Sequence, residues 1–433
     1  MSAKAGQMLG RAGDQLYETL TGDERAQVCR DIPESACQHA AGNFTRHLSS
    51  LSLTKIGDAL ADPKLVIAWL LTAIGAPAAL IGLIVPLRES LAMLPQLVIS
   101  AKIRQLPRRK TVYLAGCLLQ GGAMVGVGLA GLLLDGAAAG WTIAGLIGLF
   151  ALARSLCSIS HKDVLGKTVS KGQRGTVTGS AGTVSAAVAL LVSTALAFGW
   201  IPLTTAAVAS MVLVAGVLWL FAALSFTGVV EEPGATEGGI FGLGAIVAQF
   251  GLLRTDAQLR WFILTRSLLL STALAPPFYL AAAGSAETKT LGSLGAFMLA
   301  SALAGLLSTY IWGRLADVSS RKVMMLAALI AALAHLGVTL FNTDWILPVM
   351  LFLLMVAHQG VRLGRSTHVV DMADRDSRAA YAALSNSIVG AILLLGGLFG
   401  LLAQAMGNQT VLLTFALMAV AAALSATRLR EVQ

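Results

Sequence analysis

Charged side chains lie inside several long apolar stretches of this sequence. The first stretch carries Lys55, Asp58 and Asp62, and their i, i+3 and i, i+4 spacing places all three on one helical face. A charge near the centre of a helix that crosses a bilayer costs about 2.5–3.5 kcal/mol, so such side chains usually face the interior of a helix bundle. We expect this face to line a central cavity.

The second stretch adds the adjacent residues Arg88 and Glu89. Neighbouring helical residues point about 100° apart, which predicts different partners for the two side chains. We expect Arg88 to pair with Asp58 or Asp62, which leaves Glu89 for another helix. Two interpretations stay open: an ion-pair network that orients the first two helices, or a protonatable carboxylate coupled to a substrate.

Three further ionisable residues, Arg154, Arg266 and His358, complete the set of candidates. His358 shares a helical face with Arg362, and a histidine there serves either as hydrogen-bonded structure or as a proton relay. Arg362 lies near a helix end, from which a long side chain can reach the surface. If Arg154 and Arg266 reach the same cavity as Lys55, the site is cationic and favours an anionic substrate.

The composition requires membrane helices to position these residues. Of the 433 residues, 56% are hydrophobic and only 12% are charged, whereas soluble domains carry about 25% charged residues. The net charge of +9 is not gathered on a polar domain that could bind nucleic acid, because the basic residues form short clusters between apolar runs. This pattern predicts a multi-pass protein of the plasma (inner) membrane with both termini cytoplasmic.

Helices of about 20 apolar residues between polar or Gly/Pro breaks account for most of the chain. We predict an all-α fold of twelve spans: 44–70, 78–103, 111–134, 140–161, 176–198, 202–227, 259–282, 288–314, 322–341, 345–364, 379–404 and 410–427. They form two six-helix bundles at 44–227 and 258–433, joined by a cytoplasmic linker at 228–257 with a surface helix near 239–253. Residues 1–43 form a cytoplasmic extension with an amphipathic helix.

Short repeats relate the two predicted bundles. ALADP at 59–63 matches ALAPP at 273–277, and AKIRQLPRRK at 101–110 lies opposite GRLADVSSRK at 313–322, each at an offset of about 210 residues. Arg174 and Arg378 lie at a similar offset. Matches at equivalent helix ends indicate duplicated halves, as in transporters with parallel repeats.

The segment GRLADVSSRK resembles the loop signature of the major facilitator superfamily. The matching residues are Gly313, Leu315, Asp317, Arg321 and Lys322. The resemblance implies two pseudo-symmetric bundles and a conformational rather than substrate-binding loop. Gly313 would let the eighth and eleventh spans approach each other.

The same resemblance implies a charge latch, in which Asp317 meets the N-terminus of the eleventh span and Arg378 beside it. The first-half copy departs from the signature, with Ala101 and Gln105 in place of the glycine and the acid. The Gly-Pro motif of drug antiporters is also missing from the fifth span.

Together these features predict a secondary active transporter that moves a small solute by alternating access. Proton coupling through Asp58, Asp62 or Glu89 is the preferred energy source, and the solute is expected to be anionic or amphiphilic. The alternative is a non-transporting membrane sensor or assembly factor on the same scaffold.

Several other chemistries have no sequence support. The chain has no Gly-rich Lys-Ser/Thr phosphate loop, no HExxH motif and no Ser/His/Asp set at usable spacing. We therefore expect no enzyme activity, no cofactor, no metal and no nucleic-acid partner, and a monomer. The four cysteines contain no CxxC pair, so no structural disulfide is expected.

Overall fold

The computed structural model describes residues 15, 17–19, 37–96, 99, 102–103, 105–234, 250–283, 293–341, 345–372 and 378–432. The described part of the first half is helical throughout most of its length. Its elements are α1 Ala40–Leu60, a π-helical turn Pro63–Ile67, α2 Ala68–Ala73, α3 Ala78–Met93, α4 Lys110–Leu133, α5 Gly136–Thr168, α6 Lys171–Ala197 and α7 Thr205–Thr227.

The second half repeats this all-helical organisation. Its elements are α8 Leu252–Thr255, α9 Ala257–Leu268, α10 Ser271–Leu274, α11 Pro276–Ala282, α12 Ser293–Val318, α13 Ser320–Leu340, α14 Ile346–Asp371, α15 Arg378–Leu395, α16 Leu398–Met406 and α17 Asn408–Ala426. Most of the predicted linker helix near 239–253 lies outside the described residues. The short helix α8 overlaps only the last residues of that prediction.

Ten helical segments among the described residues are long and apolar enough to cross a membrane, with α9–α11 counted as one segment and α15–α16 as another. The first two predicted spans are not among them. Helix α1 carries Arg46, Lys55 and Asp58, and α3 has only 16 residues. The chain is thus a multi-pass membrane protein, and the count of twelve spans stays a prediction.

The first predicted span is interrupted beside its charged residues. The Asp62 carboxylate accepts hydrogen bonds from the backbone N–H groups of Lys64 and Leu65 at 2.6 and 3.2 Å, as an N-cap does. Pro63 has no N–H to continue the preceding helix. The chain therefore ends α1 and restarts in the π-helical turn that leads into α2.

The helices pack as two groups. In the first half α4 packs between α5 and α7, and α1 contacts α6 and α7; in the second half α13 packs against α14 and α17. The groups meet along α6 with α12, and along α3 with α15 and α16. A cavity between the two groups must therefore lie between the α6–α12 contact and the contact of α3 with α15 and α16.

Equivalent polar contacts hold the chain after the last helix of each half. The Asn43 amide exchanges two hydrogen bonds with the backbone of Val230 at 2.9 and 3.1 Å, and Gln258 bonds the backbone of Arg428 and Arg430. These pairs occupy corresponding places in the two halves and agree with the predicted duplication.

An acid follows each of these contacts and meets the start of α4 or α13. The buried Glu231 carboxylate accepts from the backbone N–H groups of Arg109 and Lys110 and from Lys167 Nζ. Glu431 in turn pairs with Arg321 at 3.4 Å. The loop that lacks an acid at Gln105 is therefore fixed by acids from other segments, including an ion pair from Asp163 to Arg109.

The two halves approach most closely at the membrane face opposite the basic loops. A Cβ atom on Gly82 of α3 would lie 2.5 Å from Gly400 Cα of α16, and one on Gly295 of α12 would overlap the backbone of Leu196 and Ala197 at the end of α6. Only glycine permits such backbone contact. The halves are therefore closed together at this face.

Two observations concern the N-terminal extension. Tyr17 is buried, its ring lies 5.3 Å from that of Phe44, and its hydroxyl accepts a hydrogen bond from Gln173 Nε2 at 2.8 Å. The extension thus docks against the helices at this residue. Cys37 is disulfide-bonded, so the expectation of no structural disulfide is wrong, because a disulfide does not require CxxC spacing.

Candidate functional site

A cavity of about 510 Å³ lies between the two halves. Residues of α1, the π-helical turn, α3 and α5 line one side, and residues of α9, α14 and α15 line the other. All eight cavity candidates from the sequence lie on its walls: Lys55, Asp58, Asp62, Arg88, Glu89, Arg154, Arg266 and His358. The shared helical face of Lys55, Asp58 and Asp62 thus lies where the sequence predicts it, and the roles of the eight residues stay predictions.

A second cavity of about 890 Å³ adjoins the first. It lies between α1 and α6 of the first half and α12 and α14 of the second. Lys55, Asp58, Asp62 and Arg362 line both cavities. The charged residues therefore border a larger open volume between the halves.

Asp58 is the centre of the ion-pair network. Its Oδ1 accepts from Arg154 Nη1 at 2.6 Å and from Arg88 Nη2 at 3.3 Å. The pairing of Arg88 with an acid of α1 is confirmed, and Arg154 is a further partner that the sequence does not predict. One carboxylate thus joins α1, α3 and α5.

The ion pair of Glu89 lies within its own helix, whereas the sequence predicts a partner on another helix. Glu89 Oε1 accepts from Arg88 Nη1 at 2.6 Å. Although the two Cα–Cβ directions diverge, the long arginine side chain reaches back to its neighbour. Arg88 therefore holds Asp58 and Glu89 together, with its guanidinium 5.9 Å from the centre of the Phe150 ring.

Lys55 and Asp62 stand apart from this network. Lys55 Nζ donates to the backbone oxygen of Thr178 on α6 at 3.0 Å. Asp62 uses Oδ1 for the backbone cap, and among the described residues it forms no ion pair within 4 Å. Asp62 is thus a cavity carboxylate without a directly bonded cation.

His358 links the halves across the cavity. Lys64 Nζ lies 2.9 Å from His358 Nε2, and Thr272 Oγ1 lies 3.1 Å from His358 Nδ1. A protonated lysine can only donate, so Nε2 accepts and Nδ1 carries the proton toward Thr272. The histidine is therefore a hydrogen-bonded connection in this conformation.

Arg266 is held by neutral groups. It is 6% exposed, its Nη1 donates to Ser385 Oγ at 2.7 Å, and its Nη2 donates to Asn386 Oδ1 at 3.0 Å. Its Nε is buried without a hydrogen-bond partner among the described residues. The guanidinium is positioned, and no carboxylate of the described residues forms an ion pair with it.

Lys64 and Arg365 line the cavity although neither is among the sequence candidates. Lys64 follows the break at Asp62, where continuous helical spacing no longer predicts its direction. Arg365 lies one residue beyond the predicted span 345–364, whereas α14 continues to Asp371. If the predicted span had ended at Asp371, helical spacing would have placed Arg365 on the same face as His358 and Arg362.

The residues of the predicted conformational loop lie apart from the cavity. A Cβ on Gly313 would meet no atom of the described residues within 4 Å, so the close approach of the eighth and eleventh spans stays a prediction. Asp317 is exposed and has no hydrogen bond or ion pair within the described chain. Arg321 pairs with Glu431 and Lys322 donates its backbone N–H to Ser319 Oγ, while the side chain of Arg378 lies outside the description. The latch stays a prediction.

The first half also buries polar groups that are not among the site residues predicted from the sequence. His47 Nδ1 lies 3.2 Å from His161 Nε2, and the sulfurs of Cys117 and Cys157 lie 3.7 Å apart. Within the described chain no three His, Cys, Asp or Glu residues are grouped to hold a metal ion.

Comparisons with known proteins agree with this architecture. Residues 274–432 match the sequence model described as Major Facilitator Superfamily. A comparison with curated protein sequences finds no match.

Solved structures share the fold over most of the chain. The nucleoside transporter NupG is 14% identical, with 89% of this chain and 98% of that chain covered and a TM-score of 0.67. A D-xylose-proton symporter is 11% identical, with 90% and 98% covered and a TM-score of 0.67. The xylose transporter XylE from E. coli, in a partially occluded inward open conformation, is 12% identical, with 89% and 98% covered and a TM-score of 0.63.

Proposed function

We propose that this chain is a secondary active transporter of the major facilitator superfamily, because residues 274–432 match that family's sequence model and solved transporters share the fold. It moves a small solute by alternating access of the cavity between its halves. The observation that carries this proposal is the charged cavity, because both halves contribute ionisable side chains to one volume near the centre of apolar helices. Such costly residues are retained in membranes mainly where they serve a pathway or a helix interface.

We further propose that the basic loops face the cytoplasm and that the protein works as a monomer in the plasma (inner) membrane. The ends of α5, α12 and α14 and the starts of α4, α6 and α13 carry the basic clusters, as the positive-inside pattern requires for cytoplasmic loops. The closed contacts at Gly82 and Gly295 then lie on the outer side. The described conformation corresponds to the inward-facing state.

Proton coupling through Asp62 is the proposed energy source. Asp58 and Glu89 already accept hydrogen bonds from arginine side chains. Asp62 lines both cavities without an ion pair among the described residues. It is therefore the carboxylate best placed to gain and lose a proton as the cavity changes its access.

A ligand screen followed by transport measurements tests the function. The purified protein is heated with a panel of metabolites at two pH values, and each stabilising solute is assayed for uptake into proteoliposomes. Transport requires at least one solute that both stabilises the protein and accumulates above protein-free vesicles. Co-purification with a stoichiometric partner and no response to any solute would support the sensor or assembly-factor function instead.

The coupling proposal is tested with Asp62→Asn. This variant should lose accumulation driven by a pH gradient and keep solute exchange at equal pH, because only proton transfer is removed. Asp135→Asn is the matched control, since Asp135 is exposed outside the cavity. Full gradient-driven accumulation by Asp62→Asn would exclude Asp62 as the coupling residue.

A further inference from the structure

The cavity charges are divided unevenly between the two halves. The wall from the first half carries four cationic side chains, Lys55, Lys64, Arg88 and Arg154, and three acids, Asp58, Asp62 and Glu89. Two of these acids bind the two arginines directly. The first-half wall is therefore close to charge balance.

The second-half wall has a cationic excess. Arg266, Arg362 and Arg365 line it, and no acid of this half lines the cavity among the described residues. Guanidinium groups stay protonated in proteins, and an uncompensated charge within apolar helices is costly. The excess calls for an anion that enters from solution.

Helix spacing directs two of these groups into the cavity. His358, Arg362 and Arg365 follow one another at i, i+4 and i+7 on α14 and share one face. Arg365 is partly buried and forms no hydrogen bond or ion pair with any described residue. Its donors are therefore available to a ligand.

Arg266 provides a second, better fixed group on the same wall. Ser385 and Asn386 hold its two terminal nitrogens without neutralising the charge, and Nε has no partner within the described chain. The side chain is nine-tenths buried, so its position is set by the protein before a ligand arrives. A preorganised guanidinium is well suited to donate hydrogen bonds to the oxygens of a carboxylate or phosphate group.

We propose that the cavity binds an anionic solute whose carboxylate or phosphate group is held by Arg266 and Arg365. This inference rests on the proposed function, because it assigns the substrate class of the same cavity. The anion supplies the negative charge that the second-half wall lacks. A second anionic group on the solute can reach Lys64 or Lys55 on the opposite wall, so dianions bind more tightly than monoanions.

Isosteric probes test the proposal on the unmodified protein. Binding to the detergent-solubilised full chain is measured calorimetrically for succinate, its neutral analogue succinamide and inorganic phosphate at matched ionic strength. Succinate and phosphate should bind, and succinamide should not. Equal binding of succinate and succinamide, or no binding of either anion, would overturn the proposal.

Arginine variants locate the site. Arg365→Gln should weaken succinate binding by about tenfold or more, while Arg365→Lys should retain part of it, because charge remains without the planar fork. Arg314→Gln is the control, since Arg314 is exposed and lies outside the cavity. Unchanged affinity in Arg365→Gln would place the anion elsewhere and overturn the assignment.

A short-chain phosphatidylglycerol is added as a competitor to identify the source of the anion. Competition with succinate assigns the site to a lipid headgroup, and no competition assigns it to a soluble anion; both outcomes retain the oxyanion chemistry. If a neutral solute alone binds and accumulates in proteoliposomes, the anion inference fails while transport stands. If anions bind through Arg365 but no solute is transported, the binding site stands and the proposed function fails.

Discussion

At the residue scale, one carboxylate balances two guanidinium groups. Asp58 bonds Arg88 and Arg154 and so joins three helices. The spacing of Lys55, Asp58 and Asp62 predicts the shared wall of the cavity, because a helical face is fixed by periodicity. The sequence also predicts that Arg88 pairs with an acid of α1. It does not predict that Arg154 shares Asp58 or that the long arginine side chain of Arg88 also reaches its neighbour Glu89.

Asp58→Asn should lower the stability of the protein. The substitution leaves two cations without their common counter-charge and weakens two charge-assisted hydrogen bonds, a loss of about 1–3 kcal/mol. The measurement is the apparent melting temperature of the purified protein without ligand. Asp135→Asn serves as control, and equal melting temperatures for both variants would contradict the structural role of Asp58.

At the scale of helices, most predicted spans agree with the observed helices to within a few residues. The predictions fail where a polar side chain ends a helix and caps a new turn, as at Asp62, and where an amphipathic end extends a helix, as at Arg365. Hydropathy detects apolar length but cannot detect a side chain that caps a new helical turn within it. For this reason Lys64 is absent from the sequence candidates, and Arg365 is absent because the predicted span ends one residue before it.

Asp256 caps α9 in the same way, just outside the apolar part of the helix. Its Oδ1 accepts from the backbone N–H groups of Gln258 and Leu259, and its Oδ2 accepts from the Tyr381 hydroxyl at 2.7 Å. Burial acts to raise the pKa of Asp256, but these hydrogen bonds and the nearby Arg430 outweigh it and hold the pKa below its usual value.

The lowered pKa gives the cap a defined pH dependence. The ionised cap stabilises the fold above the unfolded-state pKa of about 4, and this contribution is lost as the pH falls through the lower folded-state pKa. Asp256→Ala should therefore cost about 1 kcal/mol at both pH 7 and pH 5, with the difference from wild type narrowing only below about pH 4. Melting curves across this range provide the check, and a difference that disappears between pH 7 and pH 5 would contradict the prediction.

The contact of α3 with α16 should control which face of the cavity is open. Gly82→Val would push Gly400 away, because even a Cβ atom leaves no room there, and should expose the cavity at the face opposite the basic loops. A reporter cysteine at Thr309, which lines the cavity, should then react faster with an impermeant maleimide added at that face. Gly122→Val is the control, since a Cβ there meets no atom within 4 Å. Equal labelling rates would show that this contact does not set the conformation.

At the scale of the whole molecule, the two halves share the cavity and meet through α6 with α12 and α3 with α15 and α16. The offsets of short repeats predict related halves, and the matching contacts of Asn43 and Gln258 agree with that duplication. The sequence could not predict which face is closed, because alternative conformations of one chain share all of its local patterns. Alternating access requires the closed contacts to separate during each cycle.

Uptake by a crosslinked variant tests this requirement most directly. A Cβ at Gly397 would lie 3.8 Å from Leu83 Cα, so Leu83→Cys with Gly397→Cys places two thiols within reach of a disulfide between α3 and the turn before α16. Uptake of a stabilising solute into proteoliposomes should stop when this pair is oxidised and return on reduction, while each single variant stays active under oxidation. Undiminished uptake by the fully oxidised pair would contradict transport by alternating access of the cavity.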